Sequence, residues 1–390
     1  MRNILFTYPT QFHPEYGGIE RITDLLAKAF INIGYNVYYL HTKKNCNLDN
    51  YDYPAEMFFF PNGQKLSNEN KQYLTSLCLD KKIDIIINQA GAFGDSRLFL
   101  SCKEKLNIKT ISVIHSKPSL NYKRLYTELF KLRDNTLKEK IKLLLRIIFY
   151  FPIRYRYKKQ LHNHYQWLFN HTDKICLLSD KYKNDFIDLG LNITNEKFCS
   201  IHNANTFNKT DIKFNKKEKI ILYVGRLTYG EKRPDRILKI WNDIYKKFPD
   251  WKLIIIGDGK DRYRLESIAQ KMERVNFLGT INPKEYYYKA SILSMTSNFE
   301  GWPMVLPEAL SMGCVPILYG SFEAAYDIIH NNEDGYIIPP FKKKTYTQYL
   351  KKLMSDDVTR NFMALKGVKN IDRFNIEYTV EKWINLFDSL

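Results

Sequence analysis

No stretch of this chain reaches the about 18 consecutive apolar residues of a membrane-crossing helix, so no spanning segment is expected. Cysteine is scarce: six residues (Cys46, Cys78, Cys102, Cys176, Cys199 and Cys314) and no C-x-x-C pair. They read as reduced, mostly buried thiols in a cytosolic protein. Met1 to Tyr8 has neither the apolar core nor the small-residue cleavage site of a secretory leader, so none is expected. G-x-G-x-x-G is absent, which removes the dinucleotide fingerprint. No D-x-D is present, and His162, His164 and His171 have no carboxylate or cysteine company, so no metal site is expected.

What is present is length, a normal apolar content and excess positive charge. The 390 residues suggest two domains, and 44% hydrophobic residues suffice for a core in each. The net charge of +18 points to acidic partners: nucleic acid, anionic lipid or phosphorylated ligands. Half of it lies in residues 122–160, with twelve Lys and Arg against three acids. Within that segment Leu137, Ile141, Leu144 and Ile148 share one helical face, with Lys142 and Arg146 opposite, and Pro152 is expected to end the helix. Tyr150, Phe151, Tyr155, Tyr157, Tyr165 and Trp167 add aromatics. A basic amphipathic helix with aromatic flanks reads as a segment for an anionic membrane surface, or else as a core-packed helix with a solvated basic face. No nucleic-acid motif is visible, and the charge sits in an insertion, so nucleic acid is not expected as a partner.

Along the chain, short apolar runs alternate with helical patterns. Asn3 to Tyr8 is a strand. A loop with Tyr16-Gly17-Gly18 follows, then a helix that Gly34 stops, then a strand at Val37 to Leu40. Strands are expected again at Met57 to Phe60, Ile83 to Asn88 and Lys109 to His115, which ends in His115-Ser116, and at Lys174 to Leu178 and Phe198 to His202. Residues 203–219 are polar and basic, the best linker candidate. Alternation restarts with the strand Ile220 to Val224, then Gly225-Arg226-Leu227 and a helix opened by Glu231-Lys232-Arg233-Pro234. Strands follow at Leu253 to Ile256, Val275 to Leu278, Ile292 to Met295, Val315 to Leu318 and Gly335 to Ile338, with a helix at Phe322 to His330. This is α/β architecture with two doubly wound parallel sheets.

The chain converges on Ser297 to Pro316, SNFEGWPMVLPEALSMGCVP. Glu300 and Glu308 stand eight positions apart. Pro303 suits the first turn of a helix, which leaves the N–H groups of Met304 and Val305 at its positive end, an anion site. Glu300 in the loop and Glu308 on the first turns add acceptors at two depths. The set suits a ligand with phosphates and hydroxyls, such as a nucleotide sugar. Arg226 and Lys232, after the first strand of the second half, are within reach of this loop and would neutralise a diphosphate. Arg233, the next cation along, is the alternative to Lys232.

This stretch resembles the E-x7-E motif of glycosyltransferase family 4, the group 1 retaining glycosyltransferases of GT-B fold. Glu300, Gly301, Pro303, Glu308-Ala309 and Gly313-Cys314-Val315-Pro316 carry the likeness. It extends in layout over nearly the whole chain but is specific only from Gly225 to Pro339. It implies two Rossmann-like domains facing a central cleft: 1–207, with the insertion 122–170 and completed by a C-terminal helix 376–390; a linker 208–218; and a donor-binding domain 219–375. It further implies that Gly17 and Gly18 approach the donor diphosphate and that His115 meets the donor sugar near its reacting carbon. Glu300 and Gly301 would hold the sugar, the Met304 and Val305 amides phosphate or sugar oxygens, and Glu308 the ribose. Catalysis would fall to His115, Glu300, Arg226 and Lys232. The expected reaction is retaining and metal-independent, from a UDP-sugar to a lipid-linked saccharide in bacterial surface polysaccharide synthesis at the cytoplasmic membrane face. A nucleotide-sugar epimerase and a non-catalytic binding subunit of the same fold are the alternatives.

Overall fold

The computed structural model describes residues 2–15, 17–44, 51–120, 122, 125, 136–207 and 216–390. Tyr16 of the glycine loop, Cys46, residues 121, 123–124 and 126–135 of the basic insertion, and 208–215 of the expected linker lie outside the described residues. The chain divides into two compact units, Met1–Asn203 with Ile376–Leu390, and Ala204–Asn375.

The first unit is built on seven strands: β1 Asn3–Thr10, β2 Asn36–Lys43, β3 Glu56–Phe59, β4 Ile85–Asn88, β5 Lys109–Ile114, β6 Lys174–Leu177 and β7 Phe198–Ser200. Their order is β3-β2-β1-β4-β5-β6-β7, and every pairing is parallel. Ile85, Ile86 and Ile87 are buried in succession, as expected of a strand covered on both faces. The second unit has six: β8 Glu218–Val224, β9 Lys252–Ile256, β10 Val275–Phe277, β11 Ala290–Met295, β12 Val315–Tyr319 and β13 Tyr336–Ile338. They are ordered β10-β9-β8-β11-β12-β13, again all parallel. Each sheet reverses its sequence order once, between β1 and β4 and between β8 and β11. Crevices at the carboxyl ends of strands open at such switch points.

The helix Gly18–Asn32 buries Ile22, Leu26, Ala27 and Phe30 against the first sheet. The C-terminal helix Ile376–Asp388 returns to this unit, as the resemblance implied: the Phe387 ring lies 5.6 Å from Phe30, and Arg2 pairs with Asp388 at 2.7 Å.

Some local expectations need correction. The helix Leu137–Ile148 ends before Pro152, which sits in the first turn of a second helix, Tyr150–His171, where its missing N–H costs nothing. The helix expected from Phe322 to His330 is a single turn, Ala325–Ile328. Helices at Asn68–Asp80, Lys343–Ser355 and Asp357–Asn370 complete the layers.

A buried histidine gives the first unit an acid-sensitive core. His41 on β2 is fully buried, its Nδ1 is 3.0 Å from the Tyr8 carbonyl oxygen, and burial pushes its pKa down from 6.5 to about 4. Between those values the unfolded chain holds a proton that the folded chain does not. Stability should therefore be whole above pH 6.5 and fall toward pH 4, with a slope of about 1.4 kcal/mol per pH unit from this residue. Urea unfolding across that range checks it, and His41→Gln should flatten the slope by that amount.

Candidate active site

The switch point of the second sheet brings two loops together. One leaves β8 and carries Gly225 to Arg233; the other leaves β11 and carries Thr296 to Met304. They are knitted by main-chain and side-chain bonds. Thr296 Oγ1 donates to the Arg233 carbonyl (2.8 Å), and Arg236 donates to the Thr296 carbonyl (3.1 Å). The Asn298 amide donates to the Glu231 carbonyl (2.7 Å), and its side-chain nitrogen to that of Gly230 (2.9 Å). Asn298 thereby anchors the turn before Lys232.

Where the loops meet, Lys232 Nζ donates to both oxygens of Glu300, at 2.8 and 2.7 Å. Ser297 Oγ adds a third donor at 2.7 Å. Glu300 is only 8% exposed. A carboxylate so buried is stable because a cation and a hydroxyl face it. Arg233, the alternative cation, is turned away: at φ +49° its guanidinium grips the buried Asp235 through two bonds, at 2.8 and 2.9 Å. Arg226 lies further out, with its side chain 70% exposed and paired to Glu231 at 2.9 Å.

Glu308 is almost completely buried and takes hydroxyls on both oxygens, from Thr206 at 2.8 Å and Tyr287 at 3.1 Å. The helix begins at Val305 rather than at Pro303, and runs to Ser311. Pro303 accepts from the Leu306 amide (3.1 Å), and the proline inside the first turn is Pro307. Gly301 precedes Trp302, a buried ring set edge-on to Phe374 with centroids 5.5 Å apart.

Three expected residues belong to the first unit. Gly17 caps the helix Gly18–Asn32 in extended conformation, φ −173°. A methyl at Gly17 would meet only the Glu20 carboxylate, 2.6 Å away on a movable side chain. Gly17→Ala should therefore fold and melt like the parent, so any rise in donor KM would report contact with ligand alone. His115 follows β5, and its Nε2 lies 2.6 Å from Gln89 Oε1. Its ring lines a small cavity with Val113, Leu178, Thr379 and Trp383, and burial pushes its pKa down to about 3, which keeps it neutral.

Sequence reasoning missed Ser297, Asn298, Thr206 and Tyr287. Ser297 and Asn298 lay inside the motif and were legible as polar loop residues. Thr206, far off in the sequence, gave no signal. Among the described residues no three His, Cys, Asp or Glu side chains converge as a metal site requires.

Two family models match. Residues 16–204 match Glycosyltransferase Family 4, and residues 205–369 match glycosyl transferases group 1. The amylovoran biosynthesis glycosyltransferase AmsD of Erwinia amylovora is 28% identical over 56% of this chain and 62% of its own. A Campylobacter jejuni alpha-1,4-N-acetyl-D-galactosaminyltransferase, whose name gives a saccharide on PP-undecaprenol, is 30% identical over 44% of this chain and 48% of its own. The chain thus spans about half to three-fifths of these relatives' length. Among solved structures, Anabaena HepE with UDP-glucose superimposes with a TM-score of 0.74 at 15% identity, covering 100% of both chains. S. aureus TarM with UDP gives 0.74 at 14%, covering 99% of this chain and 100% of that one. At such identities the likeness concerns the fold, which is GT-B. With both halves matched, the chain belongs to the GT-B glycosyltransferases of group 1 and family 4.

Proposed function

We propose that the protein is a retaining glycosyltransferase, working without a metal, that moves a sugar from a UDP-sugar to a lipid-linked saccharide during bacterial surface polysaccharide synthesis. The observation that carries this is the buried Glu300 held by Lys232 at the switch point of the second sheet. It offers an acceptor for sugar hydroxyls and a cation for phosphate within one ion pair. As the sugar–phosphate bond breaks, negative charge grows on the diphosphate, and a fixed cation stabilises that charge more than the ground state. Lys232 would be the first such cation. Arg226, loosely held by Glu231, would swing in as the second cation. Glu308 would take the ribose hydroxyls, with Thr206 and Tyr287 fixing its carboxylate. The departing diphosphate would accept the proton of the incoming hydroxyl on the same face, which gives retention. Relatives named for amylovoran biosynthesis and for a saccharide on PP-undecaprenol support the acceptor class. Such an acceptor is met at the inner membrane face, where the basic segment 122–160 would face anionic lipid. Among the described residues no helix is long and apolar enough to cross a membrane.

A thermal-shift panel of UDP, GDP, ADP and their sugar conjugates tests the donor. At a hundredfold excess over Kd, the bound nucleotide should add about 2.7 kcal/mol of stability. UDP or a UDP-sugar should raise the melting temperature equally with and without EDTA. A shift abolished by EDTA would refute metal independence, and no shift with any nucleotide would refute the donor site. UDP-sugar conversion without an acceptor would assign the epimerase reading instead.

A further inference from the structure

The helix Leu137–Ile148 is inside out. Its apolar stripe faces solvent: Leu137 is 75% exposed, Ile148 60%, and Ile141, Leu144 and Leu145 are exposed between them. On the opposite side Glu139 is turned inward, 6% exposed, and pairs with Arg146 of the same helix at 2.8 Å. A helix that packs on a core does the reverse. The next helix continues the outer surface with Phe151 at 73% and Tyr155 exposed beside it.

The surrounding charge identifies what covers this stripe. Lys138, Lys140, Lys142, Arg154, Arg156 and Lys159 are all exposed around it. Glu139 is the one acid between residues 136 and 160, and it is the side chain turned inward. An apolar strip bordered by cations fits acyl chains under anionic headgroups. A second copy of the same face would bring like charges together.

We propose that the helix Leu137–Ile148 lies flat in the interface of an anionic bilayer, with Leu137, Ile141, Leu144 and Ile148 among the acyl chains and the lysines at headgroup level. This rests on the reading that the acceptor is lipid-linked, and adds to it that the docking is insertion rather than charge contact alone. Glu139 and Arg146 lie two turns apart on the same helix, on the side away from the stripe, so the stripe faces solvent before lipid is met.

Co-sedimentation with phosphatidylglycerol–phosphatidylethanolamine vesicles tests it, using Leu144→Ser with Ile148→Ser. Both positions are exposed, so UDP-induced melting shifts should match the parent. Vesicle partitioning should fall roughly 100-fold through loss of two inserted side chains. For the parent, binding should persist in part at 1 M salt, where the Debye length is about 3 Å. Binding that vanishes with salt and ignores the serines would overturn insertion. So would loss of a dimer, rather than of vesicle binding, in the serine variant. Transfer to a short-chain, water-soluble acceptor separates the two claims. If it is intact in the parent while vesicles are ignored, insertion fails alone. If the parent transfers to no lipid-type acceptor at all, the underlying reading fails.

Discussion

Glu300→Gln should reduce sugar transfer by roughly 1,000-fold, the scale of removing one electrostatic contact made to the reacting centre. The amide keeps the size and one acceptor oxygen, so Ser297 Oγ still finds a partner. It removes the charge that both bonds from Lys232 Nζ address. The lysine, about one-fifth exposed, would be left facing a neutral group, and the fold should lose about 2 kcal/mol, less than a fully buried pair costs. A bound diphosphate would give that lysine a new anion. UDP should therefore stabilise the variant at least as much as the parent, even as transfer collapses. Steady-state rates with donor and acceptor, beside UDP titration by calorimetry, measure both effects. Near-normal turnover in Glu300→Gln would sink the site assignment.

Gly257→Ala should be the most damaging single methyl in the second unit. Gly257 follows β9 with φ +130°, a region that other residues rarely enter. A Cβ there would stand 2.1 Å from the Gly225 carbonyl oxygen. That atom is backbone and cannot swing away as a side chain would. Strain and clash together should cost roughly 4 kcal/mol of unfolding free energy. Relief requires Gly225 to move, and Arg226 with it. Urea unfolding should show the loss, and UDP affinity should fall in whatever fraction remains folded. A variant as stable as the parent would mean that the two loops are not packed this closely.

The architecture was legible because it rests on periodicity and apolar runs. Buried strands such as Ile85 to Asn88 and Ile220 to Val224 stand out against polar turns, and Phe387, Trp383 and Val380 mark the apolar face of the last helix. Glu300 and Lys232 were legible as residue types at a spacing, though only the folded loops bring them within 2.8 Å. Three things were not legible. The roll of the helix Leu137–Ile148 depends on what its charged side meets, and an amphipathic pattern reads the same facing in or out. The partners of Glu308 come from residues distant in sequence, which local patterns do not connect. Lys217 stood at the end of a polar, basic segment and read as linker. It is instead half-buried, and its Nζ donates to the carbonyls of Tyr287, Ala290 and Met312 at 3.1, 2.9 and 2.7 Å. Burial pushes its pKa down to about 8. A lysine so placed ties the ends of a helix, a strand and a turn, but among many surface lysines nothing distinguishes it by composition.

The return of the chain's last helix to the first unit has a consequence for synthesis. Phe30 and Phe387 share one core, yet the whole of Ala204–Asn375 is made between the first unit's main body and its closing helix. At a translation rate of about 5–20 residues per second, the early domain waits on the order of 10–30 seconds with an uncovered helix face while the later domain, contiguous in the chain, finishes first. Birth order and folding order are thus reversed. A nascent chain stalled before Ile376 should expose Phe30 and Leu26 to chaperones, and a stop codon there would leave the half that was made first incomplete.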